Sequence, residues 1–519
     1  MVADSAFELL KGVLQPTVLL PSRLQRLLPT SYTQYDLHLR ALAQVIFINN
    51  PASGLVLLLA FLLQSPETAL LALLGTAAAH ATARTFGLER SLRREGIYGF
   101  NGALVGCAVA NFGRLDTPLA GLAWSGIVLL GGGLSSLLMA GLGRSLNRRT
   151  GLPPLTLSFC LITWALLALG SMAPGSALSL AAPAAPAPLE GVWQALALGL
   201  PRSFGQVFLC SNLWSGLLVL LAVALASPLA AGLGLLGALV AMAVGLLSGA
   251  SLAAVAAGLW GYNGVLVAIA LGGIFYAPTA GSLAVALGGA ALATLIQLGW
   301  SSGPLQAWPS LTLAFVLATW AFQLLIRQAL PALIPVSLHA ILTPEEHRER
   351  FVLARSLLAD FRRNLRLALS GQRRALLAGR VPALMRQKIA ALFQRLDHDG
   401  NGALSAAELQ AGLRLDPLAV QLSQVLQAMD IDGDGRLDAE EFGELMLRLQ
   451  RLCQGEERLL SYLMPVDTNG NDLLDPAELR RLLTSVGEPP LSPAEEHLLF
   501  GQPLCGLTWK QFVDRLLLT

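Results

Sequence analysis

Three twelve-residue stretches near the C-terminal end space their oxygen-bearing groups as a bound calcium ion requires. Such a loop supplies ligands from positions 1, 3, 5 and 9, a backbone carbonyl at position 7 and a bidentate glutamate at position 12. The predicted ligands are, loop by loop, Asp397, Asp399, Asn401, Ala403, Ser405 and Glu408; Asp430, Asp432, Asp434, Arg436, Asp438 and Glu441; and Asp467, Asn469, Asn471, Leu473, Asp475 and Glu478. This spacing is that of the EF-hand and predicts calcium as the bound ion.

The three loops differ at position 6, where the backbone turns sharply. The first two carry Gly402 and Gly435 there, whereas the third carries Asp472. Aspartate also adopts the left-handed conformation, so we expect the third loop to bind calcium as well, although more weakly than the first two loops. Because EF-hands pair, we expect a fourth hand over residues 500–511, with Leu507 and Phe512 at its apolar positions. That stretch lacks the acidic ligands and is expected to be metal-free.

A second set of polar side chains lies in the part of the chain that carries almost no charge. Between residues 41 and 330 the sequence holds 5 acidic and 10 basic residues, and from Ser203 to Ile326 it holds none. A membrane span needs about 20 apolar residues, so this region has room for many spans. A charged solute, a coupling ion or a proton relay would require conspicuous charges at mid-membrane, and the sequence disfavours all three.

The polar side chains that remain in this region are neutral and come in pairs, namely Gln44 with Gln206, Thr156 with Thr312, and Asn101 with Asn263. Amides and hydroxyls in hydrocarbon must find hydrogen-bond partners, so aligned oxygens favour a path for a small neutral molecule. A glutamine or threonine in a span more often bonds to a neighbouring helix, however. An Asn-Gly pair also indicates a turn or a helix break, so both interpretations of these residues stay open.

The paired residues belong to three sequence blocks that recur in the same order. Residue 206 follows residue 44 by 162 positions, and the second pair of blocks keeps this offset, whereas the third has an offset of 156. The pairs of blocks are Gln44–Gly54 and Gln206–Gly216, Tyr98–Val105 and Trp260–Val267, and Leu152–Phe159 and Trp308–Phe315. Duplicated membrane proteins commonly place a solute path between their repeats. Each half has room for about five spans, and an odd number makes the halves inverted.

These blocks resemble the urea transporter family over roughly residues 35–330 in both halves. The resemblance implies a homotrimer with one pore through each protomer and passive, channel-like conduction of urea, with no cofactor in the pore. It also implies that Gln44, Gln206, Thr156 and Thr312 form a ladder of oxygens for the urea amides. The apolar residues that would press on the flat face of urea are Phe47, Val207, Phe100, Leu104, Leu266 and Tyr262, the last at a position where the family has phenylalanine.

Composition divides the chain into four parts of an all-α, polytopic membrane protein with a soluble C-terminal domain. They are an N-terminal cytoplasmic segment (1–34), a membrane domain (35–330, with repeats at about 35–175 and 195–330), a basic helical linker (331–385) and the EF-hand domain (386–519). The arginines after the last span place the C-terminal domain in the cytoplasm of a cell whose inner membrane holds the chain. The linker is either a solvated connection or a helix lying on anionic lipid.

Two other functions stay open beside urea conduction. The chain could be a membrane-anchored calcium sensor, or a channel for another small neutral solute such as a different amide, ammonia or water. The pore region holds no pair of nucleophile and base and no metal cluster in its sequence, so we expect no enzymatic activity. Urea, membrane lipid and further copies of the chain are the expected partners, an unidentified protein is a possible partner of the EF-hand domain, and nucleic acid is not expected.

Overall fold

The computed structural model describes residues 34–172, 178, 180, 191–304, 306–330, 333, 335–336, 342–370, 383–413, 430, 433–446, 466–467, 471, 473–501, 506–508 and 511–512. These residues are overwhelmingly helical, which confirms the predicted all-α class. The chain forms two compact units whose boundary lies between Arg348 and Glu349, within the predicted linker.

The unit that ends at Arg348, called here the membrane unit after its predicted location, is built from helices that occur in two matching series. The first series is α1 (Gln34–Gln44), α2 (Pro51–Gln64), α3 (Pro66–Thr85), α4 (Arg90–Arg94), α5 (Phe100–Phe112), α6 (Pro118–Thr150) and α7 (Leu157–Ser171). The second is α8 (Val192–Gln206), α9 (Leu213–Ala226), α10 (Pro228–Leu247), α11 (Leu252–Ala256), α12 (Tyr262–Ile269) with a π-helical continuation (Ala270–Ile274), α13 (Ala280–Ser302) and α14 (Leu313–Ala329). The boundaries of α2 to α5 recur 162 residues later, so the helices repeat as the sequence blocks do.

Side-chain caps set the start of several repeated helices. The Oδ1 atoms of Asn50 and Asn212 each accept a hydrogen bond from the backbone N–H two residues on, at 2.8 and 2.9 Å. The hydroxyls of Ser65 and Ser227 cap α3 and α10 by accepting the backbone N–H three residues on, and each serine is followed by proline. A capping oxygen satisfies a backbone N–H that has no partner in the first turn, and proline there has no N–H to satisfy.

The lengths of the helices bear on how they can cross a membrane. In the described part of the chain, α6, α10 and α13 are long and apolar enough to cross by themselves. Shorter apolar helices, such as α5 and α7, lie among them. At 1.5 Å per residue, the 15 residues of α7 extend about 22 Å, less than a hydrocarbon core of about 30 Å. Breaks before such helices free backbone groups, which at membrane depth must be satisfied within the protein.

Pairs of glycines allow the helices of each repeat to cross at short distance. A Cβ atom added to Gly75 of α3 would lie 2.1 Å from the carbonyl oxygen of Gly102 in α5. The corresponding atom on Gly237 of α10 would lie 2.3 Å from the carbonyl oxygen of Gly264 in α12. Small residues that bring backbones together are a main source of helix packing in membranes.

The C-terminal unit contains paired helix–loop–helix elements joined by short strands. Its elements are most of α15 (Pro344–Leu369), then α16 (Ala383–Leu396), β1 (Ala403–Leu404), α17 (Ala406–Leu413), β2 (Leu437–Asp438), helical residues 439–446, β3 (Leu473–Leu474), α18 (Pro476–Ser485), α19 (Pro493–Phe500) and β4 (Leu507–Thr508). Strand β1 pairs with β2, and β3 pairs with β4, both antiparallel. The second pairing aligns Leu474 with Leu507, as expected of a fourth hand that pairs with the third.

We expect Gly237→Ala to lower the thermal unfolding midpoint of the detergent-solubilised chain, because the added methyl group meets a carbonyl oxygen on α12. Overpacking of this kind costs about 1–3 kcal/mol. The matched control is Gly232→Ala on the same helix, where a methyl group meets nothing within 4 Å. Scanning fluorimetry in detergent measures both variants, and equal midpoints would contradict a close crossing at Gly237.

Candidate functional site

The two predicted threonines lie in direct contact at the junction of the two repeats. The Thr312 hydroxyl donates to Oγ1 of Thr156 over 2.7 Å, and each residue is only 3% exposed. Each threonine is the cap residue directly before its helix, α7 or α14. The Sγ atom of Cys160 lies 3.4 Å from Oγ1 of Thr312, so a thiol completes this small polar cluster.

Two further hydrogen bonds cross the junction in opposite directions. The indole N–H of Trp164 donates to the carbonyl oxygen of Pro309 at 2.9 Å, and that of Trp320 donates to Pro153 at 2.8 Å. Both tryptophans and both prolines are repeat counterparts at the offset of 156. A contact in which residue i meets j and the counterpart of j meets the counterpart of i is the mark of a two-fold relation. The contacts on either side of the threonines are therefore reciprocal between the two series of helices.

The backbone beside the polar residues adopts an uncommon conformation. Among the described residues, the non-glycine residues with positive φ are Phe47, Leu155, Leu209 and Leu311, at 62°, 50°, 58° and 49°. They form two repeat pairs, of which one follows the glutamines by three residues and the other directly precedes the threonines. Such conformations cost about 1–3 kcal/mol each and persist where the surroundings impose them, often at functional sites.

The two predicted glutamines are held in the same way by their own repeats. The Nε2 atom of Gln44 donates to the carbonyl oxygen of Glu95 at 3.0 Å, and that of Gln206 donates to Ala257 at 3.0 Å. Residues 95 and 257 are themselves counterparts at the offset of 162. Because the nitrogen of each amide is used by the protein, the amide oxygen is the atom oriented for another donor.

A charged network of an arginine, an asparagine and a glutamate lies beside Gln44, and among the described residues beside Gln206 only the arginine has a counterpart of the same type. The guanidinium of Arg40 donates to Oδ1 of Asn49 at 2.9 Å, and the amide of Asn49 donates to the Glu95 carboxylate. In the second repeat Arg202 donates to the backbone carbonyl of Ala256 at 3.0 Å, and an alanine stands in place of Glu95. This network was not predicted from the sequence, although Asn49 lies inside the first repeated block.

The predicted apolar site residues are brought together in one core. Phe100, Leu104, Val207, Tyr262 and Leu266 are 0–8% exposed and belong to a single hydrophobic cluster that takes residues from both repeats. Phe47 packs against this cluster, and its ring meets those of Phe275 and Phe315 edge to face, with centroids 6.1 and 6.0 Å apart.

The asparagines of the repeated blocks brace the strained turns before the threonines. The Nδ2 atom of Asn263 donates to Oε1 of Gln297 at 2.9 Å and lies 3.4 Å from the carbonyl oxygen of Leu311. Its Oδ1 accepts the backbone N–H of Phe315 at 3.2 Å. The hydroxyl of Tyr262 donates to the same Leu311 carbonyl at 2.6 Å. The hydroxyl of Tyr262 is therefore used in a hydrogen bond to the turn before Thr312.

The first-repeat counterpart, Asn101, is less completely bonded. Its Nδ2 lies 3.4 Å from the carbonyl oxygen of Leu155, and its buried Oδ1 has no hydrogen-bond partner among the described residues.

We therefore expect Asn263→Ala to destabilise the chain by about 1–3 kcal/mol, because it leaves buried groups that bond to Asn263 without a partner. Asn101→Ala should destabilise the chain by less. Unfolding midpoints in detergent measure the difference. A larger loss for Asn101→Ala would contradict the bracing role.

The first calcium loop brings three of its predicted ligands together. One carboxylate oxygen from each of Asp397, Asp399 and Glu408 lies within 4.8 Å of the other two. Hydrogen bonds from the backbone and hydroxyl of Ser405 lower the pKa of Glu408 to about 2, so this ligand is ionised at neutral pH. Clustered carboxylates of this kind suit a hard divalent cation that takes oxygen ligands.

The second loop folds around its first ligand. The Asp430 carboxylate accepts hydrogen bonds from the backbone of Gly433, Asp434 and Gly435 at 2.7, 3.1 and 2.8 Å. Gly433 and Gly435 both have φ of 79°, which only glycine adopts without strain. The predicted ligand Asp432 lies outside the described residues.

In the third loop the glutamate predicted as the ligand at position 12 lies at the start of a helix. The Glu478 carboxylate accepts the backbone N–H of Asp475 at 3.0 Å, at the start of α18. The side chain of Asn471 accepts the N–H of Leu473 at 2.9 Å. The predicted ligand Asn469, and Asp472, which replaces the glycine of position 6, lie outside the described residues. Leu507 and Phe512, predicted for the fourth hand, are buried.

Comparison with known proteins gives two family matches. The family described as "Urea transporter" matches residues 35–327, and an "EF-hand domain pair" matches residues 386–447. Among curated proteins, the chain is 31% identical over 336 residues to "Urea transporter 1" of Ovis aries, covering 62% of this chain and 84% of the relative. It is 31% identical over 334 residues to the protein of that name from Mus musculus, covering 60% and 82%.

Proposed function

Because the chain belongs to the urea transporter family, we propose that it conducts urea passively along a path at the junction of its two repeats. The observation that carries this proposal is the hydrogen bond between Thr156 and Thr312, which puts two hydroxyls where the repeats meet in an apolar core. Neutral acceptors suit a neutral solute rich in N–H groups, and they need no compensating charge.

The path has polar and apolar parts with separate roles. Urea sheds water, slides edge-on between apolar walls and exchanges water for acceptor oxygens, without moving charge, metal or coupling ion. The acceptors are Gln44, Gln206, Thr156 and Thr312, and the walls are Phe47, Val207, Phe100, Leu104, Tyr262 and Leu266. The positions of the two amide nitrogens support this assignment, because each is held by a backbone carbonyl that leaves its oxygen to the solute.

We further infer how the protein is arranged in the cell. The repeats have about five spans each and run in opposite directions, so that their two-fold axis lies in the membrane plane. The reciprocal bonds of Trp164 and Trp320 support the two-fold part of this inference. Three copies assemble in the cell membrane, with the C-terminal unit in the cytoplasm, where the arginine-rich stretch after α14 favours its retention.

The C-terminal unit, in this proposal, binds calcium through its three loops and regulates or tethers the membrane unit. The grouped oxygens of Asp397, Asp399 and Glu408 support calcium binding. If the membrane unit conducted nothing, the same loops would instead make the chain a membrane-anchored calcium sensor.

Stopped-flow urea flux into proteoliposomes, with calcium or chelator on the side of the C-terminal unit, tests both functions. Flux above that of empty liposomes is expected. Flux that changes with calcium would make the C-terminal unit a regulator, and equal flux would make it a tether. The absence of flux in either condition would overturn the channel proposal, and parallel assays with other amides, ammonia and water would reveal a different solute.

We expect Thr156→Val combined with Thr312→Val to reduce urea flux about tenfold, since each change removes an acceptor at nearly constant shape. Thr76→Val is the matched control, because that buried hydroxyl donates to the Ala72 carbonyl of its own helix. Wild-type flux in a correctly folded double variant would remove the threonines from the path.

We expect Glu408→Gln and Glu441→Gln each to weaken calcium binding by more than about tenfold, because each removes a charged bidentate ligand. Glu440→Gln, at position 11 of the second loop, is the control and should bind as the wild type does. Isothermal titration of calcium into the full chain measures all three. Unchanged binding in Glu408→Gln and Glu441→Gln would contradict the ligand assignment.

A further inference from the structure

Helix α15 presents a continuous apolar face inside the C-terminal unit. Ala354, Leu358, Phe361 and Leu365 are 0–1% exposed. Their spacing of four, three and four residues puts them on one side of the helix. Val352 lies outside this series and is 56% exposed, so the buried apolar residues named here lie on one side of the helix. The helix that the sequence predicted as a basic linker is therefore packed along one full side.

The third and fourth hands, called here the second hand pair, cover this face. The ring of Phe361 meets that of Phe512 edge to face, with centroids 6.0 Å apart. The guanidinium of Arg355 lies 3.9 Å from the position of a Cβ atom on Gly487. Gly487 belongs to the connection between α18 and α19, and Phe512 lies at the start of the helical residues after the fourth loop. The contacts thus come from the connection between the third and fourth hands and from the fourth hand.

Polar contacts fix the position of α15 along the same surface. The Nη2 atom of Arg362 donates to the carbonyl oxygen of Pro490 at 2.7 Å and lies 3.8 Å from the Glu495 carboxylate. The Nε atom of Arg366 donates to Glu495 at 3.2 Å. Burial by itself would raise the pKa of Glu495, but hydrogen bonds from Ser492 and Arg366 and the charge of Arg362 hold it below its ordinary value. The carboxylate is therefore charged where it meets the arginines.

These contacts reproduce a known mode of recognition, in which an amphipathic helix lays its apolar face into a groove and anchors it at helical spacing. We propose that α15 is the built-in ligand of the second hand pair, bound in the groove through Leu358, Phe361 and Leu365 and oriented by the arginines on Glu495. While α15 occupies the groove, this pair does not accept a helix from another protein. The second pair is then a clamp on the chain itself.

The third loop gives calcium a way to tighten the clamp, a step that rests on the calcium binding proposed above. Glu478 is both the last ligand of that loop and a first-turn residue of α18, whose Leu479, Leu482 and Leu483 are buried. A calcium ion that draws in Glu478 fixes α18, and the connection that follows α18 contacts α15. The fourth hand lacks acidic ligands, so the clamp has a single calcium input.

Hydrogen–deuterium exchange of the full chain in lipid nanodiscs, with calcium and with chelator, tests the clamp. Amides of residues 354–365 should exchange slowly in the wild type. Phe361→Ala should accelerate exchange at least tenfold in α15 and also in α18 and α19, because the groove loses its central anchor. The control Val352→Ala, on the exposed side of the same helix, should leave all three helices unchanged. Glu478→Gln should remove only the calcium-dependent part of the protection.

Two outcomes would overturn the proposal. One is exchange of residues 354–365 in the wild type at the rate of an unpacked helix, and the other is acceleration by Phe361→Ala that stays within α15. This readout is independent of urea, so a chain that conducts nothing can still show the clamp. Protection that responds to Phe361→Ala but not to calcium would leave α15 as the ligand and overturn the calcium input alone.

Discussion

The hydrogen bond between Thr156 and Thr312 joins the two helical series of the membrane unit, and the constrained turns and reciprocal contacts of both series are arranged around it. Each threonine follows a leucine in the left-handed conformation, which ends the preceding turn and starts a new helix. Those leucines hold their conformation because buried amides and a tyrosine hydroxyl bond their carbonyls. Trp164 and Trp320 then fasten each repeat to the prolines of the other. The positions of the two threonines thus depend on the left-handed conformation of Leu155 and Leu311, which the surrounding side chains hold through hydrogen bonds.

Much of this arrangement could be predicted from the sequence, since duplication is visible in residues that need no structure to compare. The offset of 162 between Gln44 and Gln206 is also the offset of the helix boundaries from α2 to α5. Spacing alone likewise predicted the calcium loops and a fourth hand over residues 500–511, and the pairing of Leu474 with Leu507 agrees with that fourth hand. In these cases the signal is local, because a ligand spacing, a cap or a repeated block is contained within a few residues.

What escaped prediction depends on contacts between distant residues. The bond from Trp164 to Pro309 joins residues 145 apart, and nothing near either residue marks it. The network of Arg40, Asn49 and Glu95 depends on a loop returning to the end of α1. It also distinguishes the repeats, since Ala257 stands where Glu95 would be. Gln44 therefore lies beside an arginine and a carboxylate, whereas Gln206 lies beside an arginine and an alanine, so the two ends of a path between them would present different fields to an approaching solute.

Helix α15 shows how one sequence pattern can serve several environments. Arginine and leucine alternate along it at helical spacing, which suits a lipid surface, a solvated connection or a protein groove equally well. The choice among them depends on Glu495, which lies more than a hundred residues later and meets both Arg362 and Arg366. A lipid headgroup would compete for the same arginines, but it would leave Phe361 without the ring of Phe512. Apolar anchoring and charge pairing therefore favour the same occupant, and the groove and the helix belong to one chain.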